Sequence, residues 1–416
     1  MIRAPTGRVR GPVSTTTTYG FMTDSKRWLL PEGIEEALPP LAERLEACRR
    51  QLLDLYHGWG YELVMPPLIE YLESLLTGTG RDLDLQTFKL TDQLNGRLMG
   101  VRADMTPQVA RIDAHSLNRD VPTRLCYMGT VLHTRPDGFA GSRSPLQVGA
   151  ELYGHEGADG DVEMIRLMLE TFRVCDVRDV FLDLGHVGVY RCLADAAGLS
   201  ADAQAQLFEM LQRKALPEIR EFLGAMSMAD DARARLMALA DLNGGPEVLD
   251  QAREALRGAG EAVSRALDVL SAIASDVQRR YPDVALHVDL AELRGFHYHT
   301  GAVFAAYVAG HGQELARGGR YDDIGRVFGR ARPATGFSTD LKTLVRLSSQ
   351  PLATVSGAIF APPGGDGALD DTVRDLRARG ERIIQGLEGQ DNDARRMGCD
   401  RMLTRDSNNQ WIVTEV

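Results

Sequence analysis

At 416 residues, with 44% hydrophobic and 25% charged side chains, the chain is long enough for two or three domains around a sizeable core. A formal net charge of -11 and a pI near 5.4 argue against the broad phosphate-gripping surface that nucleic acids require, and leave open only a local basic patch. No apolar run approaches the ~18 residues of a membrane span, and five widely spaced cysteines without a CxxC pair argue against a disulfide framework or zinc centre and fit a reducing cytoplasm.

Residues 1–25 hold Arg3, Arg8, Arg10 and a threonine run at 15–18, without the apolar stretch of a secretory signal. They read as a disordered arm, or as an extension ahead of a start at Met22, with a transit peptide as the alternative. From Pro39 to Tyr56, leucines 41, 45, 52, 53 and 55 recur near helical spacing and predict an amphipathic helix, ended by Gly58 and Gly60. A short strand follows at Tyr61–Met65, stopped by Pro66-Pro67. Thr87–Leu90 and Leu98–Arg102, joined by the turn residues of Asp92–Gly96, predict a hairpin. Thr106–Leu117 reads as a helix, Arg124–Leu132 and Ser144–Tyr153 as strands, Asp161–Phe172 as a helix and Val180–Leu184 as a strand.

Residues 189–280 turn rich in Ala, Leu, Glu, Arg and Gln and predict a helical insertion, broken at Asn243-Gly244-Gly245-Pro246. Strands return at Ala285–Leu290 and Gly301–Tyr307. Gly318-Gly319-Arg320-Tyr321 reads as a tight turn, and Asp340–Leu347 as a helix. Beyond about Ser349 lies a separate small unit: a strand at Val355–Ala361, a Pro/Gly-rich break, a helix at Leu369–Gly380 and a terminal strand at Trp411–Val413. Adjacent antiparallel strands with helices set apart indicate an α+β class. The expected division is an arm at 1–25, a main domain at 26–348 and a small C-terminal α/β domain at 349–416.

Four segments in order resemble histidyl-tRNA synthetases, and therefore a class II aminoacyl-tRNA synthetase-like antiparallel sheet flanked by helices. LLDLYHGWGYELVMPPLIEY is similar to class II motif 1, and VRADMTPQVAR to the segment that grips the amino acid's ammonium group. CYMGTVLHTRPDGFAGSRSPLQVGAELYG is similar to motif 2. RGFHYHTGAVF with GGRYDDI precedes a motif 3-like GFSTDLKTL. Together they span roughly residues 28–347. The residue chemistry suits a histidine pocket. An ammonium calls for Asp104 and Glu151, with Thr106 and Gln147. A carboxylate calls for a forked cation, Arg294. An imidazole calls for aromatic walls and a hydrogen-bonding partner, from Tyr298, His299 and Tyr321. The resemblance places Asp104, Thr106, Gln147, Glu151, Arg294 and Tyr321 at positions that line the histidine pocket in the synthetases. It also marks two departures, His299 where a tyrosine is usual and Asp104 where a glutamate is usual. Plainer roles stay open beside these. Asp104 could cap the helix after it, Gln147 and Glu151 could share a solvated strand face, and Arg294 could be a surface cation. Tyr298, His299 and Tyr321 could be core packing, and the cysteines inert core residues.

Amino-acid activation builds charge on the α-phosphate of ATP, and fixed cations stabilise it. The motif 2 arginine is replaced by His133, in Leu132-His133. The motif 3 arginine is replaced by Thr343, beside Lys342 in place of the usual acidic neighbour. Arg135 and Arg346 are near but out of register. An imidazole or a hydroxyl supplies no permanent two-pronged cation. The tail after residue 349 looks too short for an anticodon-binding domain, and GCDRMLTRDSNNQWIVTEV resembles the end of the regulatory subunits of short-form ATP phosphoribosyltransferase. That resemblance implies a non-catalytic cytoplasmic subunit without metal, cofactor or nucleic acid. It implies a short catalytic partner, class II-type dimers within a hetero-octamer, and histidine as effector in the first step of histidine biosynthesis. A divergent histidyl-tRNA synthetase and a synthetase-like amino-acid sensor with another partner are the alternatives.

Overall fold

The computed structural model describes residues 28–77, 81–136, 141–292, 298–349, 357–364, 366–389 and 393–416. The expected arm at 1–25 and the candidate residue Arg294 lie outside these residues. In chain order the strands are β1 (Glu62–Leu63), β2 (Ile69–Tyr71), β3 (Phe88–Thr91), β4 (Leu98–Val101), β5 (Thr123–Thr130), β6 (Leu146–Tyr153), β7 (Val180–His186) and β8 (Asn243–Gly244). They continue as β9 (Ala285–Asp289), β10 (Ala302–Val308), β11 (Ala316–Arg320), β12 (Ala334–Asp340), β13 (Ala358–Ala361), β14 (Ile383–Gln385), β15 (Cys399–Arg405) and β16 (Trp411–Glu415). Nine of them form one sheet in the order β1-β5-β6-β12-β11-β10-β7-β9-β8. Its centre, β5 to β7, is antiparallel throughout, which fits the α+β reading.

Alternation along β6 gives this sheet two different faces. Val148, Ala150 and Leu152 point to the helix-covered side and are at most 2% exposed. There they join a core with Leu45, Cys48, Leu52 and Tyr56 of the helix Leu41–Gly58, and with Met164, Ile165 and Phe172 of the helix Ala158–Val174. The predicted amphipathic helix thus exists, and its buried stripe recurs at three- and four-residue steps. Gln147, Gly149 and Glu151 take the opposite face. Beneath the helix Thr106–Arg111, that face gathers Met105, Val109, Leu125, Tyr127, Tyr153 and Tyr321.

The hairpin β3–β4 forms as expected, with β2 added at its edge. The helix after Thr106 continues as a π-helical turn, Ile112–Leu117. The expected insertion is helical from Val187–Ala196 through Glu261–Arg280, and its glycine break becomes the edge strand β8, paired with β9. One local expectation fails. Gly318, Gly319 and Arg320 do not turn; they run straight as β11 between β10 and β12. The glycines serve close approach instead. A Cβ on Gly318 would collide with the Gly336 carbonyl and the Phe304 ring, and one on Gly319 would lie 2.7 Å from the Ala302 carbonyl.

After residue 349, β13 pairs in parallel with β14 and β15, and β16 is antiparallel to β15. Leu369 and Val373 of the helix Gly367–Ala378 cover Ile359 and Leu403. This is the expected small α/β sheet, with β14 and β15 added to the strands read from sequence. Among the described residues no helix is long and apolar enough to cross a membrane.

Candidate functional site

The segment entering the helix at Thr106 sits against β6, and its polar groups are tied there. The Gln147 amide donates to Asp104 Oδ1 at 2.7 Å, and its carbonyl oxygen accepts from the Met105 backbone N–H at 2.9 Å. Asp104 Oδ1 also accepts from Thr106 N at 3.0 Å. Asp104 thus meets a backbone N–H in the first turn of the helix and joins a polar cluster with Gln147. Gln147 is 9% and Glu151 1% exposed, so a solvated strand face is ruled out.

One layer deeper, the Thr106 and Tyr127 hydroxyls are 3.0 Å apart, and Tyr127 donates to Glu151 Oε1 at 2.9 Å. Tyr321, at the end of β11, donates to Glu151 Oε2. Burial pushes the Glu151 carboxyl up to about 8, against hydrogen bonds from Tyr321 and Tyr127 that favour its charge. Tyr298 stacks on Tyr321 with ring centroids 5.1 Å apart, and meets the His299 ring edge-on at 5.3 Å. The Tyr298 hydroxyl is buried without a hydrogen-bond partner among the described residues. His299 Nδ1 is 3.3 Å from the Arg320 carbonyl. A carbonyl only accepts, so Nδ1 carries the hydrogen and Nε2 is left as an acceptor. Burial lowers His299 to about 4 and keeps it uncharged near neutrality.

The two altered synthetase positions line one cleft of about 170 Å³ together with Asp104 and Gln147. His133 Nε2 is 2.9 Å from the Ala103 carbonyl. Its Nδ1 is buried without a partner among the described residues. Thr343 turns inward to donate to Asp340 Oδ2 at 2.8 Å. The charged side chains among the described lining residues are Asp104, Glu314, Asp340 and Arg317. Arg317 is engaged with Glu314 at 3.0 Å. Arg346 instead pairs with Glu35 at 2.8 Å, and neither it nor Arg135 lines the cleft. A cleft with three carboxylates and one paired guanidinium suits a cationic group better than a developing phosphate charge.

The structure thus brings Asp104, Thr106, Gln147, Glu151, Tyr298 and Tyr321 into one connected cluster, with His299 at its edge and His133 and Thr343 in the adjoining cleft. Sequence reasoning missed Tyr127, Glu314, Arg317 and Asp340. No local signal marked Tyr127, which faces Gly149 and meets Glu151 only through the pairing of β5 with β6. The other three depend on how β11 and β12 meet the cleft. Among the described residues no group of three or more His, Cys, Asp or Glu is placed to hold a metal ion.

Comparison with known proteins identifies the family to which this fold belongs. Residues 33–344 match the family model for histidyl-tRNA synthetase, and residues 356–414 match that for the ATP phosphoribosyltransferase subunit HisZ C-terminal domain. An ATP phosphoribosyltransferase regulatory subunit from Thioalkalivibrio sulfidiphilus is 79% identical over 95% of this chain and 100% of its own length. One from Alkalilimnicola ehrlichii is 57% identical over 93% and 97%. A solved ATP phosphoribosyltransferase regulatory subunit/histidyl-tRNA synthetase from Bacillus halodurans superposes with a TM-score of 0.77 at 27% identity, covering 90% of this chain and 97% of that one. Histidyl-tRNA synthetase from Nostoc sp. PCC 7120, at 17% identity and a TM-score of 0.73 over 93% and 97%, shares the fold. The chain belongs to the family of ATP phosphoribosyltransferase regulatory subunits, built on the histidyl-tRNA synthetase fold.

Proposed function

We propose that this chain binds free histidine between Asp104 and Tyr298 without activating it, and that occupancy sets the activity of a short-form catalytic ATP phosphoribosyltransferase partner. One observation carries the reading. The polar cluster Asp104–Gln147 and Tyr127–Glu151–Tyr321 is connected and largely buried, whereas positions 133 and 343 carry an imidazole held on a backbone carbonyl and an inward-turned hydroxyl where guanidinium groups would be needed. In this reading Asp104 receives the ammonium group, with Glu151 as the deeper carboxylate. Tyr298, His299 and Tyr321 enclose the imidazole, and Arg294 is assigned the carboxylate from its sequence position alone. Such a ligand shifts a conformational equilibrium only through unequal affinity for two states, with a coupling on the order of 1–3 kcal/mol.

The assembly belongs to the same proposal. The segment similar to motif 1 exposes Leu63, Met65, Leu68 and Ile69 beside the edge strand β1. That apolar edge suits a class II-type dimer, which we place at the centre of a cytoplasmic hetero-octamer acting without nucleic acid. We set the boundary between the two units at about residue 349. The experiment mixes this chain with a short-form catalytic subunit. A rise in phosphoribosyl transfer and a changed histidine response are expected, with no histidine-dependent ATP–pyrophosphate exchange by the chain alone. Measurable exchange, or no effect on the partner, overturns the reading.

A further inference from the structure

Two thiols 127 positions apart meet in the core of the main sheet. Cys48 lies on the buried stripe of the helix Leu41–Gly58, and Cys175 follows the last turn of the helix Ala158–Val174. Packing of these helices brings the two sulfurs to 2.7 Å, with both residues buried and both thiols free. That separation lies between ordinary contact of two sulfur atoms and the ~2.05 Å of a covalent bond. The hydrogen bond between the thiols acts in opposite directions on the two. It favours a thiolate at one sulfur while the other keeps the shared proton; the charge of Arg44, one helical turn before Cys48, favours ionisation of both thiols, and burial opposes it at both. One sulfur is thus disposed to become the thiolate nucleophile and the other to keep its proton. Cys126, in the same core, is different: burial pushes its thiol up to about 12.

We propose that Cys48 and Cys175 form a modification site, a thiol pair that hydrogen peroxide or a similarly small peroxide converts reversibly to a disulfide. The Cys48 thiolate attacks a peroxide oxygen and the O–O bond breaks. Cys48 becomes a sulfenic acid, and the departing hydroxide takes up the proton Cys48 gave away, leaving as water. The Cys175 sulfur then attacks the Cys48 sulfur and the S–O bond breaks. The hydroxide released accepts the Cys175 proton and leaves as a second water. The thiols lose two electrons and the peroxide gains two. Burial selects a small oxidant over a bulky thiol-disulfide. The bond would clamp the helix Leu41–Gly58 to the end of Ala158–Val174 beside two contacts of the departing chain. Arg44 donates to the Ser348 hydroxyl at 2.6 Å, and Ser349 N donates to the Asp176 carbonyl at 3.0 Å.

The test treats the reduced full-length chain with a small excess of hydrogen peroxide, then denatures it and titrates thiols. The five free thiols should fall to three and return to five after dithiothreitol. Digestion without reductant should show the Cys48 and Cys175 peptides linked. In Cys175→Ser, dimedone should trap a sulfenic acid at residue 48, while Cys126→Ser should oxidise like the parent. Retention of all five thiols overturns the proposal, as does a cross-link through any other cysteine. Peptide mapping of the unsubstituted chain decides the matter even where a variant folds poorly.

Discussion

Tyr321 reaches Glu151 across the intervening strand β12, and it does so at Gly336, the residue of β12 paired with Glu151. Tyr127 approaches the same carboxyl from β5, so two phenols hold a side chain that is 1% exposed. The ordinary value of 4.5 rises to about 8 there, chiefly through burial. Between those pH values the folded protein keeps a proton that the unfolded chain has lost. The stability this contributes is fully present below pH 4.5 and is lost as pH rises through about 8, at up to about 1.4 kcal/mol per pH unit. Glu151→Gln mimics the protonated acid and should flatten this slope. Chemical denaturation at pH 6 and pH 9 checks it, and a parent protein no more weakened at pH 9 than the variant would contradict it.

The proposed ammonium interaction predicts a second behaviour of the same residues. A charge-assisted hydrogen bond contributes about 1.5–3 kcal/mol, so Asp104→Asn and Glu151→Gln should each weaken histidine binding by roughly 10- to 100-fold. Because Glu151 is largely protonated in the empty site, binding a cationic group beside it should release protons. Calorimetry in buffers of different ionisation enthalpy measures both quantities. An enthalpy independent of buffer at pH 7 would remove Glu151 from the ammonium's surroundings.

Local pattern carried much of this architecture. The leucine spacing of 41–55 and the alternation of 146–153 were enough to place a helix and a two-faced strand, because burial on one side leaves a periodic trace. Gly318-Gly319 misled for a physical reason. Glycine serves turns through its backbone freedom and central strands through its missing side chain, and the sequence does not distinguish the two uses. The strand Cys399–Arg405 was hidden by Asp400, Arg401 and Arg405 in a short exposed unit. In the site, Asp104, Gln147 and Glu151 could be named from residue chemistry, but their order could not. Tyr127 meets Glu151 through the register of β5 against β6, a relationship between distant segments.

That missing side chain can be tested at Gly336. A Cβ there would overlap the Glu151 carboxylate and lie 2.7 Å from the Ala150 carbonyl. Gly336→Ala should therefore cost about 1–3 kcal/mol by overpacking and displace Glu151 from Tyr321. Urea denaturation gives the first quantity and histidine titration the second. Unchanged stability with full binding would show that the strands yield more easily than their packing implies.

Asp340 links the end of β12 to the helix Leu341–Leu347. Its Oδ1 accepts from Leu146 N at 2.8 Å and from Lys342 N at 3.2 Å, and its Oδ2 accepts from Thr343. Asp340→Ala removes a helix cap and leaves these donors unmet, so a loss of about 1–2 kcal/mol is expected. Asp340→Asn keeps one acceptor oxygen and should recover part of it. Equal losses in both variants would assign the effect to charge rather than to capping.

Arg320 gives the largest expected effect. It is 7% exposed, pairs with Asp161 at 3.1 Å, and donates to the carbonyls of His155 and Gly157 at 3.0 Å each. Its own carbonyl meets His299, and the next residue is Tyr321. Removing one partner of a buried pair strands the other charge and typically costs about 3–5 kcal/mol. Arg320→Ala should lose that much in urea denaturation. Arg320→Lys should not recover it, because one ammonium cannot serve an aspartate and two carbonyls in the directions a guanidinium fork reaches. Because the strand it anchors presents Tyr321 to Glu151, histidine affinity should fall along with stability even where Arg320→Lys remains folded. Wild-type affinity in a folded Arg320→Lys would separate the ion pair from the placement of Tyr321.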